Sequence, residues 1–111
     1  MLVNRYKLNL TADVTFYARE AGGKTVPVVS GYGCPCMVSQ AMPLQGWDAR
    51  LVFGGDPILS GERRRVGFAF LTPEGARAIA EARQFFLWEG RFIGEASVCE
   101  SELDLSSLPE N

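Results

Sequence analysis

The chain predicts an all-β fold, a small closed and mainly antiparallel β-barrel that carries one short helix. Three observations predict it. Apolar residues recur with a period of two over most of the sequence, which is the pattern of strands with one buried face. Turns bearing Gly and Pro interrupt that alternation at short intervals. Only residues 72–83 combine helix start signals with Ala-rich helix formers. Several short strands leave exposed edges unless the sheet closes on itself, and closure gives a barrel.

The elements follow in order. In "ADVTFYAR", Ala12, Val14, Phe16 and Ala18 alternate with Asp13, Thr15, Tyr17 and Arg19, as in a half-buried strand. "EAGGKT" then marks a turn, and "VPVVSGYGCPCMV" reads as strand, tight bend and strand because Gly and Pro break its β-branched pieces. "ARLVFGG" is a further strand, closed by "GGDP". In "RRRVGFAFL", Arg64, Val66, Phe68 and Phe70 share one face, and Arg63, Arg65, Gly67, Ala69 and Leu71 the other. The helix begins with Thr72 as N-cap, Pro73 at its first position and Glu74 near the positive end of its dipole, with Gly75 as its weak point. "FFLWEGRFIGEASV" closes the barrel as a hairpin. A two-residue turn at Glu89 and Gly90 places Trp88 opposite Arg91 and Phe86 opposite Ile93. Phe85, Leu87 and Phe92 then face the core, while Phe86, Trp88 and Ile93 form an outward apolar patch with Arg91 stacked on the indole. Either the helix or the tail covers that patch, or it is a protein contact surface.

A length of 111 residues with 47% hydrophobic content fits one domain, able to bury about 65% of its unfolded surface. Residues 1–99 are expected to form the barrel. Residues 100–111 form an acidic tail, expected to fray, with Glu100, Glu102, Asp104 and Glu110 and no base. The net charge is −2 for the whole chain, and the body keeps 11 bases against the 9 acids that remain. The overall charge of −2, with a pI near 5.1, argues against a generic polyanion binder. No stretch resembles a signal-peptide core or reaches the roughly 20 apolar residues of a membrane span. With three cysteines, an odd number, the expectation is a cytoplasmic protein.

Particular residues carry a family resemblance. "ADVTFYAREAGGKTVPVVSGY" resembles the opening of the third domain of elongation factor Tu, with its strand, double-Gly turn, Pro-containing strand and Gly-Tyr pair in that order. "ILSGERRRVGFAFLTP" is similar to that domain's turn and long strand, and "FFLWEGRFIGEASV" to its closing hairpin. The likeness spans about residues 12–98. It implies a six-stranded antiparallel barrel in a bacterial, translation-related protein. In that family the domain contacts the GTPase domain, the T stem of aminoacyl-tRNA and the nucleotide exchange factor. Two motifs depart from the family: Gly33, Cys34, Pro35 and Cys36 follow Gly31 and Tyr32 where it has Arg-Pro-Gln-Phe, and Trp88, Glu89, Gly90 and Arg91 replace a turn richer in Arg and Gly. The sequence contains no GxxxxGK[ST] phosphate loop, so the resemblance implies a free-standing binding module and no nucleotide hydrolysis.

Candidate chemistry is sparse. The chain has no His, which removes the commonest general base and any Ser-His or Cys-His pair. Asp56, Glu62 and Glu89 are the acids that loops could bring together, although exposed acids are ordinarily solvated surface. Cys34 and Cys36 share a face if extended, and Cys99 could join them, but a zinc site needs four ligands and buried thiols commonly serve as small hydrophobes. The expectation is therefore a non-enzymatic interaction module without metal or cofactor. Its protein-binding residues are Phe86, Trp88, Arg91, Ile93 and Tyr32, its partner is an unidentified protein, and homodimerisation is an alternative. The second expectation is an RNA-binding accessory using Arg63, Arg65 and Arg91. Tyr17, Tyr32 and Trp47 are the aromatics that could stack on bases.

Overall fold

A computed structural model of the chain describes residues 8–99. Six strands form one closed antiparallel barrel in the order β1-β4-β3-β2-β5-β6, with β6 returning to pair with β1. The strands are β1 (Leu10–Phe16), β2 (Gly33–Met37), β3 (Gly46–Val52), β4 (Arg63–Phe70), β5 (Gln84–Trp88) and β6 (Phe92–Val98). The predicted acidic tail lies outside the described residues.

Alternation in the sequence becomes alternation in space. Along β1, Leu10, Ala12, Val14 and Phe16 are buried while Thr11, Asp13 and Thr15 point outward. On β4 the predicted inner face is correct for Val66 and Phe68, and Phe68 meets the Phe85 ring edge-on at 5.2 Å. Leu51, Ile58, Leu87 and Ile93 fill the rest of the interior. Each aliphatic side chain fully removed from water contributes about 1.5–3 kcal/mol, so this apolar filling is the main stabilising term.

The segment "VPVV" departs from expectation. It forms no strand and makes only an isolated bridge, Val28 to Ile58, with N–H to O distances of 2.9 and 2.8 Å. Pro27 has no N–H to continue a ladder there. Val28 and Ile58 still turn inward and help seal one mouth of the barrel, which leaves Val26, Val29 and Leu59 exposed around them. Strand β3 begins at Gly46, ahead of the predicted Ala49, because Trp47 pairs with Cys36 on β2.

The helix α1 (Pro73–Ala82) starts as predicted, with the Gly75 N–H donating to Thr72 Oγ1 at 3.1 Å. Ile79 is fully buried in the barrel core. Gly75, the weak point by propensity, is required by packing, because a Cβ there would lie 2.8 Å from the Trp47 Cβ. The helix thus packs closely on β3 at Trp47. No helix among the described residues is long and apolar enough to cross a membrane.

Gly75→Ala separates packing from propensity. Helix propensity alone would make the substitution stabilising by about 1 kcal/mol. The crowding against Trp47 makes it destabilising instead, by roughly 1–2 kcal/mol, measurable as a lowered urea midpoint with an unchanged slope.

Candidate functional site

The closing hairpin differs from its predicted form by one residue. Its connection is Glu89, Gly90 and Arg91, with the Glu89 N–H donating to the Arg91 carbonyl at 2.8 Å and Gly90 at φ +73°. Trp88 pairs with Phe92 and Leu87 with Gly94, so Ile93 is the extra residue of a bulge. A one-residue shift exchanges the two faces of a strand, and the bulge makes that exchange locally. Ile93, predicted outside, is fully buried in the core. Phe92, predicted inside, is half-buried and joins Phe86 and Trp88. The Phe92 ring lies edge-on to Trp88 at 5.0 Å and to Phe86 at 6.1 Å. Beyond the bulge the alternation resumes, with Ala96 and Val98 buried and Glu95 and Ser97 exposed. No side-chain pattern in the sequence signals the bulge, so the correct members of the row, Phe86, Trp88 and Phe92, were only partly legible.

Polar contacts fix the hairpin tip beside this row. Glu89 accepts a hydrogen bond from Lys24 Nζ at 2.7 Å and another from the Tyr32 hydroxyl. Lys24 also lies 4.9 Å from the Tyr32 ring centroid, and only 15% of its side chain is exposed. The Lys24 ammonium, and then the Tyr32 hydroxyl, hold the Glu89 carboxyl below its ordinary range. Burial, reinforced by Glu89, pushes the Tyr32 phenol far up, so it remains a donor. Arg91 does not stack on the indole as predicted. Its Nε donates to the Gly22 carbonyl at 2.7 Å and its Nη2 to the Gly23 carbonyl at 3.1 Å. Two preformed acceptors outweigh the weaker attraction of a ring face.

The double glycine supplies those acceptors. It follows a short 3-10 turn (Arg19–Ala21), where Gly22 has φ +96° and a Cβ at Gly23 would overlap the Tyr17 carbonyl oxygen at 1.9 Å. Tyr17 itself donates to Glu95 Oε1 at 3.2 Å, and burial raises its phenol. Tyr32, Lys24 and Glu89 therefore meet beside Trp88 and Arg91 at the hairpin tip.

The other arginines belong to a different arrangement. Arg65 Nε donates to Asp13 Oδ1 at 3.1 Å, and Arg63 lies 3.7 Å from Asp13 Oδ2. Their side chains are 59% and 71% exposed. The hydrogen bond from Arg65 depresses the Asp13 carboxyl. Arg64 turns to the loop carbonyls of Gly54 and Asp56 at 3.3 and 3.1 Å and covers the Phe53 ring at 5.6 Å. Arg63 lines a shallow groove of about 450 Å³ across β1, β6 and β5, with Asp13, Glu95 and Phe86 also in its wall. Arg91 instead turns to the backbone, its Nε and Nη2 donating to the Gly22 and Gly23 carbonyls.

Cys34, Cys36 and Cys99 are all free and buried. Cys34 and Cys36 occupy inward positions of β2. Burial pushes the Cys34 thiol up to about 12, and that of Cys36 well above its ordinary value. Neither forms a nucleophilic thiolate near neutrality. Among the described residues no three His, Cys, Asp or Glu side chains gather to hold a metal ion.

Two measurements check this description. Cys34 and Cys36 should resist a thiol reagent at pH 8 in the folded protein and react fully after unfolding; rapid native labelling would contradict their burial. Glu89→Gln should destabilise the protein at neutral pH by up to about 1 kcal/mol, the range of an exposed pair. Because the folded carboxyl is depressed, the wild-type advantage is complete above the ordinary value of 4.5 and shrinks as pH falls through the lower folded value. Urea titrations of both proteins from pH 7 to pH 3 read this convergence. No family model and no curated protein matches the chain.

Proposed function

We propose that the protein is a non-enzymatic interaction module that binds another protein through the end of the barrel formed by the closing hairpin. The observation that carries this reading is the half-exposed aromatic row Phe86, Trp88 and Phe92 beside a tip held by Glu89, Lys24, Tyr32 and Arg91. Aromatic side chains on a rigid support lose little conformational freedom on binding, and they dominate protein interfaces for that reason. The absence of His from the sequence and the raised thiols of Cys34 and Cys36 give nucleophilic or acid-base catalysis little to work with.

The resemblance to the third domain of elongation factor Tu supports the same reading. A domain that contacts other proteins through its barrel surface, detached from a GTPase domain, would act in the bacterial cytoplasm as a mimic or regulator linked to translation. The engaged state of Arg91 weighs against the three-arginine RNA surface, since its Nε–H and one Nη2–H are already held by the Gly22 and Gly23 carbonyls.

Affinity purification of the tagged chain from its native lysate, with and without ribonuclease, tests the proposal. A stoichiometric protein should persist after ribonuclease and high salt, and Trp88→Ala should weaken its capture by more than about 1 kcal/mol while the circular dichroism stays native. Nucleic acid that co-purifies and leaves with salt would overturn the reading in favour of RNA.

A further inference from the structure

The groove across β1, β6 and β5 adjoins the aromatic row through Phe86, and its charges are unevenly placed. Phe86 of β5 pairs directly with Glu95 of β6, Glu95 with Thr15 of β1, and Thr15 with Arg63 of β4. These four side chains stand on the outer surface of the sheet in that order, with roughly 5 Å between the Cβ atoms of neighbours. A ring and an acid therefore occupy the hairpin side of the groove, and a cation its far side.

The two charges are met differently. Arg63 lies 3.7 Å from Asp13 Oδ2. Glu95 meets no cation among the described residues: its Oε1 accepts a hydrogen bond from the neutral Tyr17 hydroxyl at 3.2 Å, and its Oε2 has no partner among them. Because Tyr17 already holds the carboxylate in place, a cation that binds it has little left to order. Arginine is the side chain that suits this pair. Its planar guanidinium stacks on a ring and forks onto a carboxylate, whereas an ammonium is a strongly hydrated point charge. Arg63 sets the direction of entry, since a base approaching from the β4 side would meet its like charge first.

We infer that the protein partner presents an arginine to this groove, with its guanidinium against Phe86 and Glu95. The inference rests on the hairpin being a protein contact surface, and it names what that surface recognises: an arginine flanked by apolar side chains that lie on the aromatic row.

Three acetylated and amidated peptides test this: Gly-Leu-Arg-Leu-Gly and its counterparts with Lys or Gln at the centre. Titrated into the isotope-labelled full chain, the Arg peptide should shift the nuclear magnetic resonance signals of Phe86 and Glu95. It should bind about five-fold more tightly than the other two. Glu95→Gln, which keeps an acceptor for Tyr17, should abolish that preference, and Arg63→Gln should enlarge it. Equal affinity for the three peptides, no shift at the highest concentration, shifts centred elsewhere, or a preference that survives Glu95→Gln would overturn the inference. Capture from lysate separates it from the hairpin reading. A captured protein that is lost with Trp88→Ala but kept with Glu95→Gln leaves the hairpin reading in place and overturns the arginine site. Capture indifferent to Trp88→Ala, beside a peptide preference that depends on Glu95, removes the hairpin reading and retains the arginine site.

Discussion

Pairing of β6 with β1 is the constraint on which the rest of the molecule depends. Once the sheet closes, every inward side chain must fit a fixed cylinder, and both mouths must be sealed by residues from the connections. The Val28 to Ile58 bridge supplies two such side chains, and Ile79 of α1 is another that enters the core from outside the sheet. Closure also leaves no strand edge free among the six, so the barrel presents outward side chains and loops and no template for strand addition.

The strands and the helix were legible because each has a local cause. A buried face imposes the period of two on β1, and Thr72 with Pro73 announces a helix whatever the surroundings. What the sequence did not disclose depends on neighbours far along the chain. The bulge at Ile93 is set by the partner strand, the position of Gly75 by the Trp47 side chain, and the direction of Arg91 by carbonyls at residues 22 and 23. The candidate site suffered more than the fold because it sits beside that bulge. Phe86 and Trp88 lie on the face read from the sequence, whereas Phe92 and Ile93 exchanged places.

Two kinds of order meet at the hairpin. The aromatic row offers area without much conformational entropy to lose, and the Glu89 and Arg91 contacts restrain a tip that would otherwise carry the mobility usual for a loop. Individually these exposed polar contacts are weak. Together they join the tip to a turn that glycine alone can form, since Gly22 is left-handed and Gly23 abuts the Tyr17 backbone.

That join has a consequence in time. Lys24 and Glu89 are 65 positions apart, and Arg91 and Gly22 are 69 apart. Contacts of such separation form only after most of the intervening chain has been ordered, because loop closure must be offset by structure already in place. During synthesis the double-glycine turn emerges before the β5–β6 hairpin and has to wait for it before its carbonyls are engaged. The aromatic row and its tip contacts are therefore completed only once residues 84–98 have emerged and folded.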